Sequence, residues 1–515
     1  MRPTFLGFET QKRTLMLAQK NIDIVGNNIS NINTPGYTRQ RVDLYAMYLS
    51  SNRNIDWSSR SNSLAMAGQG ANAYGVSQIR DIYIDKRYRE NVAVESETAK
   101  SVQILTDIED ALDNFETDGL QWFTQQFFDA LQDYSTEKPD SVEAATIARN
   151  SALSLCRLLN AYDEELKRIE TTYVNDLKDT LDYINGLLED MNVLNDKIVK
   201  EKFHYNEGYD PNELCDEMNL YIDELATYGN ITFSRNADGS YNVEMGGVRI
   251  LDGKEGKTNR ILMEDYDTHG QAILFFESGD PLNIKSGELK SFYDMINGNG
   301  VYAQGHQNGS YGIAYFKSAI NEFARTIADT FNKANYGDID DSRLMFQSNV
   351  EGAIITAGNI RVSDAWMKDA TMIGQKRLQD PLTGLYYYGY DEVTDETGNV
   401  NLQNSNVLYL ISQFDNQNIK FGNCHDFQGS VYEYISFISN RLAQTIQYED
   451  SRYQTAVITV NGLLDARDSV SAPQMDEEGI NMLNYQKWYN ASSRIVTTLD
   501  DMLDKLINGT GRVGL

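Results

Sequence analysis

Two matching heptad seams, one near each end of the chain, constrain this sequence more than any other feature. Near the N-terminus Phe8, Leu15, Ile22 and Ile29 recur every seven residues, and Ala18, Val25 and Ile32 fill the second seam position. Near the C-terminus Met482, Tyr485, Tyr489, Ser492, Val496, Leu499, Leu503 and Leu506 keep the same alternation of four and three. A strict seven-residue repeat makes a narrow apolar stripe, which a helix buries only against another helix. The two ends are therefore expected to pair with each other, with a neighbouring molecule, or with both.

The first seam belongs to a helix expected over 4–32, and the segment GNNISNINTPGYTRQ at 26–40 stops it. Thr34 precedes Pro35 and is pushed out of the helical region, while Gly36 can take a positive φ. Asn27, Asn28, Asn31 and Asn33 crowd this stop, with Asn27 and Asn31 one turn apart and off the seam. Capping and turn chemistry explain such a cluster in part; contact with another subunit is the second reading. Tyr37 then opens a segment, 37–48, that alternates weakly like a strand or extended arm. At the other end Asp476, Glu477 and Glu478 precede the terminal helix, where negative charge suits the positive helix end.

Between the ends, 51–75 reads as an irregular linker. Helical patterns occupy 84–112 and 119–134, break at Lys138-Pro139-Asp140, and resume over 142–203. In that last run Tyr162, Leu166, Ile169, Tyr173, Leu177, Ile184, Leu187, Met191, Leu194 and Ile198 recur at helical spacing, with a slip between Leu177 and Leu181. Unbroken, it would be about 90 Å long, a rod. A helix follows Asp210-Pro211-Asn212 through Leu225. Residues 231–248 alternate around Asn236-Ala237-Asp238-Gly239, a hairpin signal, and short strands continue to 276. A helix over 313–335 precedes a Gly-, Asp- and Tyr-rich stretch, 337–401, suited to an exposed insertion. Helices return over 407–414 and 427–464, the second with Asp426 as a cap, before a break at Ala472-Pro473. The expected fold is mainly α with a β-rich part, an elongated α+β chain. In it 1–50 with 473–515 form a terminal coiled-coil domain; 51–229 with 310–336 and 402–472 form a helical rod; 230–309 is the β-rich part and 337–401 a small insertion.

Composition narrows the function. A chain of 515 residues with 41% hydrophobic content is long enough for more than one domain with real cores. The net charge of -30 argues against nucleic acid, whose binding rests on basic patches, and against an anionic membrane surface. No stretch approaches the 18 to 20 apolar residues, roughly, that a membrane helix needs, and MRPTFLGFETQKR lacks the apolar core of a secretory signal. The chain is expected either to stay in the cytosol or to leave without a cleaved signal. Cys156, Cys215 and Cys424 are too scattered for a disulfide framework or a zinc knuckle, and His204, His269, His306 and His425 share no metal-ligand spacing. Gly298-Asn299-Gly300-Val301-Tyr302-Ala303 matches a dinucleotide fingerprint without the strand and helix it requires. Gly256-Lys257-Thr258 ends like a phosphate loop, but Leu251 stands where its first glycine should be. No catalytic, cofactor or metal site is expected.

The segment at 26–40, with its Asn28, Thr34-Pro35-Gly36-Tyr37 core, resembles the N-terminal signature of the axial proteins of the bacterial flagellum, the rod, hook and junction proteins. ARDSVS at 466–471 and DEEGINMLNYQKWYNASSRIVTTLDDMLDKLI at 476–507 are similar to the junction members of that family. ELCDEMNLYIDELATYGNITF, SGELKSFYDMI and IADTFN resemble their interior segments. Where the family commonly has Ser-Gly-Val-Asn before the acidic pair, this chain has Ser471-Ala472-Pro473-Gln474, a stiffer hinge, and the large β insertion of some relatives is reduced to 337–401. The resemblance implies a structural subunit joining hook to filament, exported through the flagellar type III channel. It further implies terminal helices that pack into a ring or tube with copies of itself. Its implied partners are the hook protein, a second junction protein and an export chaperone covering the C-terminal helix. The alternatives are a hook or distal-rod subunit of the same family, or an exported adhesin or enzyme whose site would lie in 230–401.

Overall fold

The computed structural model describes residues 6–47, 70–112, 119–204, 210–264, 266, 270–305, 307–336, 340–422 and 427–509. Its helices, in chain order, are α1 (Leu6–Ser30), α2 (Ile82–Leu112), α3 (Leu120–Thr136), α4 (Val142–His204), α5 (Asn212–Tyr228), α6 (Glu288–Asn297), α7 (Ile313–Ala334), α8 (Asp364–Lys368), α9 (Ser405–Ser412), α10 (Val431–Ser471) and α11 (Met475–Asp504). The chain is mainly helical, with small antiparallel sheets. It divides into two compact units, one of Met1–Ala93, Ile184–Arg260 and Ala456–Leu515, the other of Val94–Tyr183 and Ile261–Thr455.

In the first unit the chain leaves α1, turns at Pro35-Gly36 and re-enters as β1 (Gln40–Ala46), which pairs antiparallel with β2 (Ala71–Gln78). Residues 71–75, expected to be linker, are therefore strand; the rest of that linker at 51–69 lies outside the described residues. β3 (Ile231–Arg235), β4 (Tyr241–Met245), β5 (Val248–Asp252) and β6 (Lys257–Thr258) form a four-stranded antiparallel sheet in sequence order. The expected hairpin forms where the sequence marks it. Gly239 takes φ +95°, and Asn236 N–H donates to the Ser240 carbonyl at 2.8 Å, which closes the β3–β4 turn.

The second unit contains β7 (Ile261–Met263) paired with β8 (Leu274–Phe276) and β9 (Phe346–Ser348) paired with β10 (Ile360–Val362). Three further hairpins follow, β11 (Lys376–Gln379) with β12 (Tyr386–Gly389), β13 (Asp391–Thr394) with β14 (Val400–Gln403), and β15 (Lys420–Phe421) with β16 (Phe427–Gln428). Phe127 of α3 lies 5.5 Å, ring centre to ring centre, from Phe331 and 5.6 Å from Phe414, and Phe346 lies 6.1 Å from Trp366. These rings form a buried aromatic core. The expected insertion 337–401 thus differs along its length: Phe346, Ile360, Trp366 and Ile373 are buried, while the residues after 380 are largely exposed. Residues 427–428, expected to be helical, are strand. α10 starts later because Ser430 and Glu433 form a reciprocal capping box: Ser430 N–H donates to Glu433 at 2.9 Å and Glu433 N–H to Ser430 Oγ at 3.3 Å. Asp426 lies outside the described residues.

One device recurs. Asn332 of α7 accepts from Phe346 N–H at 2.9 Å and donates to the Phe346 carbonyl at 2.8 Å. Asn195 of α4 does the same with Tyr241, at 2.7 and 2.9 Å. Asn297 of α6 does it with Ala272, at 2.8 and 2.7 Å. In each case an asparagine amide satisfies both backbone polar groups of one remote residue, as a neighbouring strand would. Asn332→Asp keeps the acceptor, removes the donor and buries a charge beside the Phe346 carbonyl. It is expected to cost about 3 kcal/mol, read as a shifted denaturant midpoint with unchanged m-value.

Candidate functional site

The two chain ends meet in the first unit, where α1 and α11 pack antiparallel. A Cβ built on Gly7 lies 3.7 Å from Leu499 Cδ1, and Asn28 Nδ2 donates to Glu478 at 3.0 Å. These contacts are three heptads apart on both helices, so the register holds between them. On α1 the second seam position keeps Ala18 and Val25 as expected, while the first falls on Asn21 and Asn28, one residue before the expected Ile22 and Ile29. Ala18, Asn21, Val25 and Asn28 are buried, while Phe8, Leu15, Ile22, Ile29 and Ile32 are half-buried to one side. On α11 Met482, Tyr485, Val496, Leu499 and Leu503 are half-buried and Ser492 buried along the expected stripe, but Tyr489 and Leu506 are exposed. The buried polar residues on α1, Asn21 and Asn28, are ones that no apolar pattern could reveal.

Asn28 is 1% exposed and uses its whole hydrogen-bonding capacity. Its amide donates to Glu478 and, at 3.0 Å, to the Gln40 carbonyl; its oxygen accepts from Gln40 N–H at 3.0 Å and from Tyr37 OH at 2.9 Å. One side chain therefore ties α1, the start of β1 and the start of α11. Glu478, also 1% exposed, forms an ion pair with Arg39 Nε at 2.7 Å, and Arg39 reaches Glu477 at 2.8 Å. Arg39 N–H donates to the Ser471 carbonyl at 2.8 Å, so the turn between α10 and α11 joins the same clamp. Burial, reinforced by Glu213, Asp216 and Glu478, pushes the Tyr37 phenol well up and keeps it a donor.

The remaining motif residues form the turn. Asn31 Nδ2 donates to the Asn27 side chain at 2.9 Å, Thr34 N–H to the Asn31 carbonyl at 2.9 Å, and Thr34 Oγ1 to Asn31 Oδ1 at 3.1 Å. Thr34 and Pro35 are exposed. Gly36 has φ +75°, and a Cβ there would come within 2.6 Å of the Leu220 side chain; glycine is required on both counts. Asp476 is exposed at the start of α11.

A second polar cluster supports the clamp and was not anticipated from sequence. Asp216 of α5 accepts from Thr38 N–H at 3.1 Å and Thr38 Oγ1 at 2.6 Å. Arg80 pairs with Asp85 at 3.0 Å and stands 3.8 Å from Asp216. Arg467 of α10 bridges Asp85 at 3.4 Å and Asp223 at 2.7 Å, and Arg89 holds Asp223 at 2.5 Å and Asn219 at 3.1 Å. Arg467 lies in ARDSVS and the three α5 residues in ELCDEMNLYIDEL, so segments singled out for their family likeness converge here. Burial, opposed by the Thr38 hydrogen bonds and Arg80, pushes Asp216 up to about 6. Among the described residues no group of His, Cys, Asp and Glu could hold a metal ion. Cys156 and Cys215 are buried free thiols, Cys156 raised to about 12 by burial, and His204 is exposed; Cys424, His269, His306 and His425 lie outside the described residues.

Three family models match in chain order: a flagella basal body rod protein model over 8–38, the flagellar hook-associated protein FlgK helical domain over 105–343, and the flagellar basal body rod FlgEFG protein C-terminal model over 473–509. Flagellar hook-associated protein 1 of Bacillus subtilis is 27% identical, covering 99% of both chains. The chain belongs to the flagellar hook-associated protein 1 family. The Escherichia coli member is 22% identical over 96% of this chain and 98% of its own. The fold agrees with that of the flagellar hook junction protein FlgK from Burkholderia pseudomallei, at a TM-score of 0.54 and 12% identity, covering 75% of this chain and all of the other.

Asn28→Asp sets two carboxylates against each other where the clamp needs a donor. It is expected to destabilise the first unit by about 3 kcal/mol or more, measured as earlier proteolysis of α11 and a lower melting temperature, with Glu478→Gln in the same chain restoring part of the loss. Because the folded state holds the Asp216 proton more tightly than the unfolded state, this group's contribution to stability is full below about pH 4 and is lost as pH rises through about 6. Asp216→Asn, which keeps a partner for Thr38, should flatten that part of the stability profile.

Proposed function

We propose that this chain is the structural adaptor subunit between flagellar hook and filament, and that it polymerises through α1 and α11. The observation that carries this reading is the surface left over after the two helices pair. Trp488, Ile495 and Met502 recur every seven residues on the outer side of α11 and are 52%, 45% and 62% exposed. A second heptad stripe that no described helix covers suits a neighbouring subunit. The clamp at Asn28 holds that stripe in fixed register to α1, which a repeating assembly requires.

The protein belongs to the extracellular flagellum, and among the described residues no helix is long and apolar enough to cross a membrane. Its role is structural rather than enzymatic. We assign 1–50 with 473–515 to the axial core, with Phe8, Leu15, Ile22, Ile29 and Ile32 on one flank of α1 and Trp488, Ile495 and Met502 on α11 as the packing surfaces. The remaining assigned parts are a helical domain of 51–229 with 310–336 and 402–472, a β-rich part at 230–309 and an insertion at 337–401. The hook protein, a second junction protein and other copies of this chain would contact it. An export chaperone would cover α11 until the subunit leaves through the type III channel. A hook or distal-rod subunit would share the matches at 8–38 and 473–509; the helical-domain match over 105–343 favours the junction.

Removing 475–515 is expected to leave the second unit folded, by circular dichroism and thermal melting, while abolishing incorporation at the hook tip and binding of the export chaperone. Normal junctions built from the truncated chain would contradict the proposal.

A further inference from the structure

We infer that the second unit carries a subunit-docking groove whose occupant is the β13–β14 hairpin of another copy of this chain. The inference rests on the self-assembly proposed above and adds a contact outside the terminal helices.

The groove, about 680 Å³, is lined by α7, α9 and the segment leading into β15. Arg325, Lys333 and Lys420 supply cations, with Asp329 as a carboxylate, and Ile354 and Tyr409 supply apolar surface. Ile354 is 72% exposed and Tyr409 56% exposed, so neither is satisfied within its own chain. Arg325 pairs with Glu322; Lys333 and Lys420 are exposed and form no ion pair with the described residues. On a chain of net charge -30, this largely polar groove sets two lysines without an ion pair to the described residues beside an exposed isoleucine and tyrosine.

The complementary feature is on the same unit. The β13–β14 hairpin bears exposed Glu392 and Glu396, with no ion pair to the described residues, beside exposed Val393 and Val400. Its tip is rigid, because Asp395 accepts from Thr397 N–H at 2.9 Å and Asn399 N–H at 2.8 Å. Its base is tethered by Asp391, which pairs with Lys376 at 3.1 Å and bonds Ser405. Glu392 and Val400, which share one face of the hairpin, and Glu396 at its tip thus match two lysines, an isoleucine and a tyrosine on the next copy. Copies that each carry a strong negative charge repel, and a contact that sets anion against cation offsets this locally. Because hairpin and groove are different surfaces, the contact is heterologous, the kind that repeats around an axis into a ring.

The test uses the full chain as the sole junction subunit in cells, in a Cys424→Ser background. Lys420→Cys with Glu396→Cys should give an oxidant-dependent ladder of dimers and higher species on isolated hooks, and neither substitution alone should. Lys333→Glu with Lys420→Glu should lower the number of subunits per hook roughly tenfold, a change of about 1.4 kcal/mol, and Glu392→Lys with Glu396→Lys in the same chain should restore it. Native incorporation of the lysine-reversed chain, or no ladder from the cysteine pair, overturns the inference. The melting temperature of the secreted lysine-reversed chain reports misfolding, in which case the cysteine pair decides. Normal incorporation of the chain lacking 475–515 would instead overturn the self-assembly reading beneath it.

Discussion

A buried asparagine side chain that answers both backbone polar groups of one remote residue is the interaction on which this structure depends. Asn28 with Gln40, Asn195 with Tyr241, Asn297 with Ala272 and Asn332 with Phe346 are built alike. Each lies on a helix and receives a strand or the segment beside one. A helix side cannot extend a β ladder, and a buried strand edge left unpaired is costly. The primary amide, with two donors and two lone pairs, resolves the conflict without a charge. At Asn28 the remaining donor and lone pair are also used, on Glu478 and Tyr37, which makes a local docking into a closure of both chain ends.

That closure accounts for the acidic lead-in to α11. Capping would place Asp476, Glu477 and Glu478 alike at a positive helix end. The structure separates them: Asp476 and Glu477 are exposed, and Glu478 is a buried seam residue held by Arg39 and Asn28. A buried carboxylate is expensive to hold and more expensive to leave without its partners, so the pair serves specificity of register more than stability. Buried polar positions on α1 leave large apolar residues on the outer flanks of both helices, and those flanks are what an axial assembly can use.

How much of this was legible follows from the kind of residue involved. In α4 every anticipated core position, from Tyr162 to Ile198, is buried, because a long run of large apolar residues at helical spacing has one consistent solution. The helix stop at Pro35-Gly36 and the hairpin at Asn236–Gly239 were likewise marked by backbone chemistry. In α1 Ala18 and Val25 are buried as their spacing predicts, but Asn21 and Asn28 take the place expected of Ile22 and Ile29, because an apolar count sees only their neighbours. Arg39, Gln40, Asp216 and Arg467 were missed because their roles depend on partners far away in sequence. The Ser430–Glu433 capping box was readable and would have moved the start of α10 to its observed place.

The account's central claim is that Asn28 and Glu478 act as one unit joining the chain ends. A double-mutant cycle on Asn28→Ala and Glu478→Ala, followed by denaturant unfolding of the first unit, tests it most directly. Coupling of about 1 kcal/mol or more is predicted, since either change alone already breaks the shared network. Simple additivity of the two losses would contradict it.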